Sequence, residues 1–228
     1  MGAGWLAVVN EEEIKILDLC CHEIRTIAFD REVLALRAHE NMLCVVYHES
    51  VPMWGAQQIA MQLILVDTNM RATNMLSTVP VPVKPESILR SMHFSQEGML
   101  MSQDSTGALR AFSLERGDWT TISIVGLEDS RKAWVIGIVN HELIYWKTSN
   151  EDPEPTVAPR FAVKSSNLYI PTIGAYPGET QEIYEQLLWA RFTLDHEKAR
   201  ARLWGRLKVS RPPSSIYSYM VNSILSEK

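Results

Sequence analysis

The sequence predicts a mainly β fold: a partial β-propeller of four-stranded blades, followed by C-terminal α-helices. Three observations predict it. Short apolar runs are separated by Gly, Asp and Ser turns, the same strand phase returns every ~40–55 residues as in propeller blades with loop insertions, and a proline-free stretch with helical spacing opens at Glu179.

The clearest unit runs from Phe94 to Ile122. A strand ends at Phe94-Ser95, Gln96-Glu97-Gly98 turns, and Met99-Leu100-Met101 forms the next strand. Asp104-Ser105-Thr106-Gly107 turns into a strand over Ala108–Leu114, and Arg116-Gly117-Asp118 turns into one opening at Trp119. Glycine supplies the positive φ of a tight hairpin, while Asp and Ser bond back to their own backbone. Four antiparallel strands joined this way make one blade.

The other units follow in order. Gly4–Val9 is a buried strand, Asn10-Glu11-Glu12 a turn, and Ile14–Leu19 alternates as a half-exposed strand does. Glu23–Phe29 is the next strand, and Val33–Leu36 opens a new blade. Asn41–Tyr47 repeats the character of Gly4–Val9, Met61–Asp67 repeats Ile14–Leu19, and His48–Ala60 between them reads as a long loop. Met75–Val79 is a short outer strand, and Pro80, Pro82 and Pro85 make an extended connection poor in backbone donors. Ile88–Phe94 opens the unit described first. Ala133–Val139 and His141–Trp146 pair in another, Lys147–Pro159 is a loop, and Phe161–Val163 and Leu168–Pro171 are two last strand pieces.

From Glu179 to Leu207 the character changes. Ile183, Leu187, Ala190 and Leu194 fall at helical spacing, acidic Glu179 and Glu182 lie at the start, and Lys198, Arg200, Arg202 and Arg206 near the end, as the helix dipole favours. Arg211-Pro212-Pro213 stops that helix, and Ser214-Ser215 caps a second through Ile224. The division is therefore 1–175, a portion of a six-bladed propeller, and 178–228, the start of a helical extension. The inner strand before Trp5 is missing and about three and a half blades are present, fewer than the ~4–8 of closed propellers. The chain is then either a piece of a longer product or a divergent open sheet; the exposed inner edge of an open sheet favours the piece, expected to be poorly soluble alone.

Composition narrows function. The 228 residues carry a net charge of −5, which argues against a bare nucleic-acid binder. No run approaches the ~20 apolar residues of a membrane span. Cys20, Cys21 and Cys44 are not spaced as a disulfide framework and read as reduced thiols. Cys20-Cys21-His22 reads as structural rather than metal-binding, because neighbours on a strand face opposite ways. The six histidines are scattered, and Asp104-Ser105 lacks a base at recognisable spacing. Neither a P-loop nor a dinucleotide fingerprint is present. No catalytic residue, metal ligand or cofactor site is expected, and the tryptophans of the strands read as core packing.

The ordered pieces resemble one family. Gly4-Trp5-Leu6-Ala7-Val8 is similar to its G-W-x-A-A strand, and Leu34–His48 to its V-x-x-x-A-G-H-x-x-x-L-x-x-V-Y-H segment, without the glycine. Gln62-Leu63 followed by Val79-Pro80-Val81-Pro82 resembles Q-L-L then P-L-P-L. Phe94-Ser95-x-x-Gly98 with Asp104-Ser105-x-Gly107-x-x-Arg110 resembles F-S-x-x-G then D-S-x-G-x-x-R. Trp119–Ile122, Trp134–Ile138 and Pro155–Val163 resemble W-x-P-I, W-V-V-G-I and P-T-x-P-R-P-A-V. The family is that of the replisome adaptors, which includes the acidic nucleoplasmic or WD-repeat and HMG-box DNA-binding proteins and the fungal chromosome transmission fidelity adaptor; the matching part is the central SepB propeller and the start of the helical bundle.

That resemblance implies a nuclear, non-enzymatic, homotrimeric hub. It would couple the replicative helicase, through GINS, to DNA polymerase α–primase, and support sister-chromatid cohesion. DNA contact would belong to the full-length protein and be indirect for this chain, with no membrane contact. Clients would dock as short helices along Glu179–Leu207, with Leu187, Trp189, Arg191, Leu194 and Trp204 as the contact residues. The reading from another class is a propeller-plus-helix scaffold of a vesicle coat or transport complex.

Overall fold

The computed structural model describes residues 2, 4–10, 12–53, 56–69, 72–114, 116–124, 131, 133–139, 142–148 and 163–169. These form fourteen strands in antiparallel sheets. A three-stranded sheet holds β1 (Trp5–Val9), β2 (Glu13–Asp18) and β3 (Glu23–Ala28). A four-stranded sheet holds β4 (Val33–His39), β5 (Met42–Met53), β6 (Ala56–Asp67) and β7 (Ala72–Pro80). A third unit holds β8 (Leu89–Phe94), β9 (Leu100–Asp104), β10 (Leu109–Ser113) and β11 (Asp118–Ile124). The fourth holds β12 (Ala133–Val139), β13 (Glu142–Lys147) and β14 (Val163–Tyr169). Within every unit the strands pair in sequence order, the meander expected of propeller blades.

The side-chain period of two explains how the units stack. On β5, Leu43, Val45 and Tyr47 pack with Trp5, Ile14 and Ile16 of the first unit. The alternate residues Met42, Cys44 and Val46 pack with Met92, Leu100 and Phe112 of the third. On β10, Phe112 joins that second cluster, while Leu109 and Ala111 face Ala133, Val135, Leu143 and Tyr145 of the fourth unit. Covered on both faces, β9 and β10 are buried throughout, and Ser102, Gln103, Asp104, Arg110 and Ser113 are buried with their apolar neighbours. Each fully buried large apolar side chain, such as Phe112 or Ile14, contributes roughly 1.5–3 kcal/mol.

Hydrogen bonds between units fix their stacking. Trp5 Nε1 donates to Glu40 O at 2.9 Å, joining the first two units. Gly2 lies against the Trp5 ring so closely that a Cβ would come within 2.0 Å of it, so any larger residue at position 2 would have to displace the ring. Trp119 Nε1 donates to Pro80 O at 3.0 Å, Gln103 Nε2 to Ala133 O at 3.1 Å, and Gln96 N to Ile138 O at 3.0 Å. First strands sit side by side, β8 lying next to both β4 and β12, and the outer strand β3 touches β7. The stacked sheets agree with part of a propeller, and they do not close into a barrel.

The structure corrects several readings. Residues 48–53 and 56–60 are not loop: β5 and β6 continue as a ribbon, with His48 opposite Ile59, Ser50 opposite Gln58 and Met53 opposite Ala56. The register shifts between these pairs break the alternation that would announce a strand. The outer strand read as Met75–Val79 extends over Ala72–Pro80. The two last strand pieces are one strand, β14, in which residues 164–167 pair with β13; Phe161, Ala162, Ile170 and Pro171 lie outside the described residues. Beyond the expectation, β14 also meets the end of β11 through Ser123–Tyr169 and Ile124–Leu168, linking the third and fourth units in one seven-stranded sheet. Cys20 and Cys21 lie in a turn and not on a strand, so the argument from opposite faces does not apply to them. The predicted helices, from Glu179 on, lie outside the described residues.

Candidate interaction surface

The first strands of the units carry a cluster of cationic and aromatic side chains. Arg37 on β4 reaches across to β8, where its Nε donates to Met92 O, while its Nη1 donates to Leu36 O at 2.8 Å. Backbone carbonyls thus solvate a half-buried guanidinium. His93 follows Met92 on β8. Burial pushes its pKa down to about 4, and the positive charge of Arg37 adds to the effect. Arg90, also on β8, sits 4.8 Å from the Trp134 ring centroid on β12 and donates to Arg131 O at 2.7 Å. His39 lies 5.8 Å from the Phe94 ring, again between the second and third units. This layer favours packing and cation–π contact.

The Asp104–Arg110 stretch builds the turn between β9 and β10. Asp104 Oδ1 accepts from Thr106 N at 3.0 Å, Thr106 Oγ1 at 2.5 Å and Ala108 N at 3.1 Å. Its Oδ2 meets Arg110 Nη2 at 2.9 Å. Gly107 takes φ +80° at the point where its N–H bonds to Asp104 O. Burial alone would raise the Asp104 pKa, but the bonds from Thr106, Arg110 and Ala108, with the Arg110 charge, hold it below the ordinary value. Ser105 Oγ accepts from Ile88 N at 3.1 Å. The motif ties a blade turn to the neighbouring connection.

What the described surface offers is apolar and edge-like. Val51 on the β5–β6 ribbon is 80% exposed, and Leu19, Ile88, Val163 and Met75 are exposed too. One edge of β1 has no strand partner among the described residues, and Val8 and Val9 on it are exposed. An apolar crevice between the second and third units, lined by Met42, Leu63, Phe94, Leu100 and Phe112, holds only about 10 Å³ of water-accessible space. That is room for one water at most and not for a small-molecule substrate. No helix among the described residues is long and apolar enough to cross a membrane.

The five residues expected to contact clients, Leu187, Trp189, Arg191, Leu194 and Trp204, all lie outside the described residues. Trp5 is core, as expected, and Trp119 packs on Phe112 at 5.2 Å. Two groupings escaped the sequence reading. Arg90 over Trp134 joins residues 44 positions apart, with no local signal. Asp18, Cys20 and His22 converge at the β2–β3 turn, and their i, i+2, i+4 spacing at a strand end is a signal that was available.

Residues 1–172 match the family model described as minichromosome loss protein, Mcl1, middle region. Curated relatives include the WD repeat and HMG-box DNA-binding protein 1 of Mus musculus, 25% identical over 143 residues, or 60% of this chain and 13% of that protein. The protein of the same name from Xenopus laevis is 27% identical over 144 residues, 60% of this chain and 12% of that protein. Protein ENHANCER OF LHP1 1 of Arabidopsis thaliana is 25% identical over 194 residues, 82% of this chain and 20% of that protein. The chain therefore spans only a small part of the length of the curated relatives it matches.

Proposed function

The chain belongs to the Mcl1 middle-region family, and from that membership we propose that it acts as a non-enzymatic portion of a DNA-replication adaptor. The observation that carries this reading is the match along residues 1–172, joined by relatives whose name is WD repeat and HMG-box DNA-binding protein 1. Stacked sheets with packed interiors and exposed apolar edges support a protein-contact role.

In finer terms, residues 1–175 are the propeller portion and 178–228 the start of a helical extension. The full-length product is a nuclear homotrimer that links the replicative helicase, through GINS, to DNA polymerase α–primase and serves sister-chromatid cohesion. Leu187, Trp189, Arg191, Leu194 and Trp204 receive short helical client peptides, and trimerisation raises effective client concentration without new contacts.

Capture of proteins on newly synthesised DNA tests the reading. The tagged full-length protein is expected to be enriched on nascent DNA and to fall away from it after a chase. Equal recovery from nascent and mature chromatin, or recovery in a vesicle fraction, would overturn it; the latter outcome belongs to a coat or transport scaffold.

A further inference from the structure

The β2–β3 turn holds a side-chain cluster that the adaptor reading does not use. Asp18 ends β2 and His22 precedes β3. The backbone closes on itself: Asp18 N donates to His22 O at 2.9 Å and Cys21 N to Asp18 O at 3.0 Å, with Cys21 at φ +63°. Asp18 Oδ1 accepts from the N–H groups of Cys20 and His22, both at 2.8 Å. Its Oδ2 lies 3.3 Å from His22 Nδ1. One ligand atom each from Asp18, Cys20 and His22 lies within 4.8 Å of the other two, and Cys21 is not in the group.

We propose that Asp18, Cys20 and His22 form a binding site for a borderline divalent cation, with Zn²⁺ the best fit. A thiolate with an imidazole disfavours hard Mg²⁺ and Ca²⁺, while the carboxylate and single thiolate disfavour Cu(I). Zinc bonds of ~2.0–2.3 Å to O, N and S set tetrahedral ligand atoms roughly 3.3–3.7 Å apart. The Asp18–His22 separation already matches that range, and rotation of exposed Cys20 closes the remainder. The two backbone bonds to Oδ1 orient the carboxylate and hold it ionised, the part played by outer-shell donors in metal sites. Binding releases the Cys20 thiol proton to solvent and changes no oxidation state. The exposure of Cys20 and His22 leaves the fourth position to water.

Titration of the reduced 228-residue chain with Co²⁺ tests the site. One equivalent is expected to produce a thiolate-to-cobalt band in the near ultraviolet and visible bands of four-coordinate intensity, both displaced by Zn²⁺. Cys20→Ser should abolish the ultraviolet band, His22→Ala should weaken binding by roughly 100-fold or more, and Cys21→Ser should leave both unchanged. In the full-length protein, Zn²⁺ should protect Cys20 and not Cys21 from maleimide, read by peptide mass. No cobalt–thiolate band in the wild type, a band that survives Cys20→Ser, or equal protection of both cysteines would overturn the proposal.

Discussion

Arg110 Nη2 lies 2.9 Å from Asp104 Oδ2 at a site where Asp104 is fully buried and Arg110 almost so. Replacing one partner strands the other charge without solvent. Asp104→Ala is expected to destabilise the chain by about 3–5 kcal/mol, and Asp104→Ala with Arg110→Met by less than the two single changes added together. Urea unfolding of the four proteins checks this. Additive losses would mean the pair is not coupled.

Acid should remove stability in two windows. The folded pKa of His93, about 4, lies below its ordinary 6.5, so the unfolded chain binds the extra proton between those values. Stability should therefore fall as pH drops from 6.5 to about 4 and then level off for this group, by at most about 3 kcal/mol. The Asp104 pKa is depressed as well, so its contribution is present above the ordinary carboxylate range and is lost as pH falls below it. His93→Gln should flatten the first window and leave the second in place, as measured by denaturation midpoints across pH.

The two exposed cysteines and the buried one should react very differently. Burial pushes the Cys44 thiol up to about 12, with Arg37 opposing only weakly. In metal-free buffer near pH 7, maleimide is expected to label Cys20 and Cys21 while Cys44 reacts only in denaturant. Peptide mass mapping reads this; fast native labelling of Cys44 would show that the packing between the second and third units opens readily.

Trp5→Phe should cost about 1–2 kcal/mol, since it forfeits the bond to Glu40 O and leaves that carbonyl without its indole donor. Trp5→Ala should cost about 3–5 kcal/mol through the cavity it leaves. Equal costs would mean that the indole N–H contributes nothing to joining the first two units.

The parts of the fold legible in the sequence are those where local chemistry and tertiary demand agree. Gly98, Gly107 and Gly117 take φ of 85°, 80° and 68°, so the turns around β9–β11 announce themselves. Ile14 and Ile16 alternate with half-buried neighbours because β2 packs one face into the core, and Met99–Met101 run together because the third unit is covered on both. The ribbon over residues 48–53 and 56–60 was hidden because its pairing shifts register twice and its residues include His48, Glu49, Ser50, Pro52, Gln57 and Gln58, which read as a loop. The link from β11 to β14 was hidden because strand pairing across some 45 residues leaves no local trace. At the β2–β3 turn, treating Cys20-Cys21-His22 as strand residues obscured what Asp18 Oδ1 does when it caps two backbone N–H groups. The helix rests on the spacing of Ile183, Leu187, Ala190 and Leu194 and its contact residues on the family resemblance, and Leu187 to Trp204 lie outside the described residues.

The central claim is that this chain belongs to a replication adaptor. Native purification of the endogenous full-length product, with co-purifying proteins identified by mass spectrometry, tests it most directly. The account predicts helicase subunits including GINS together with DNA polymerase α–primase in the eluate, at a stoichiometry of three adaptor chains. Coat or transport proteins without replication factors would contradict it, and would leave the stacked sheets as the surviving part of the account.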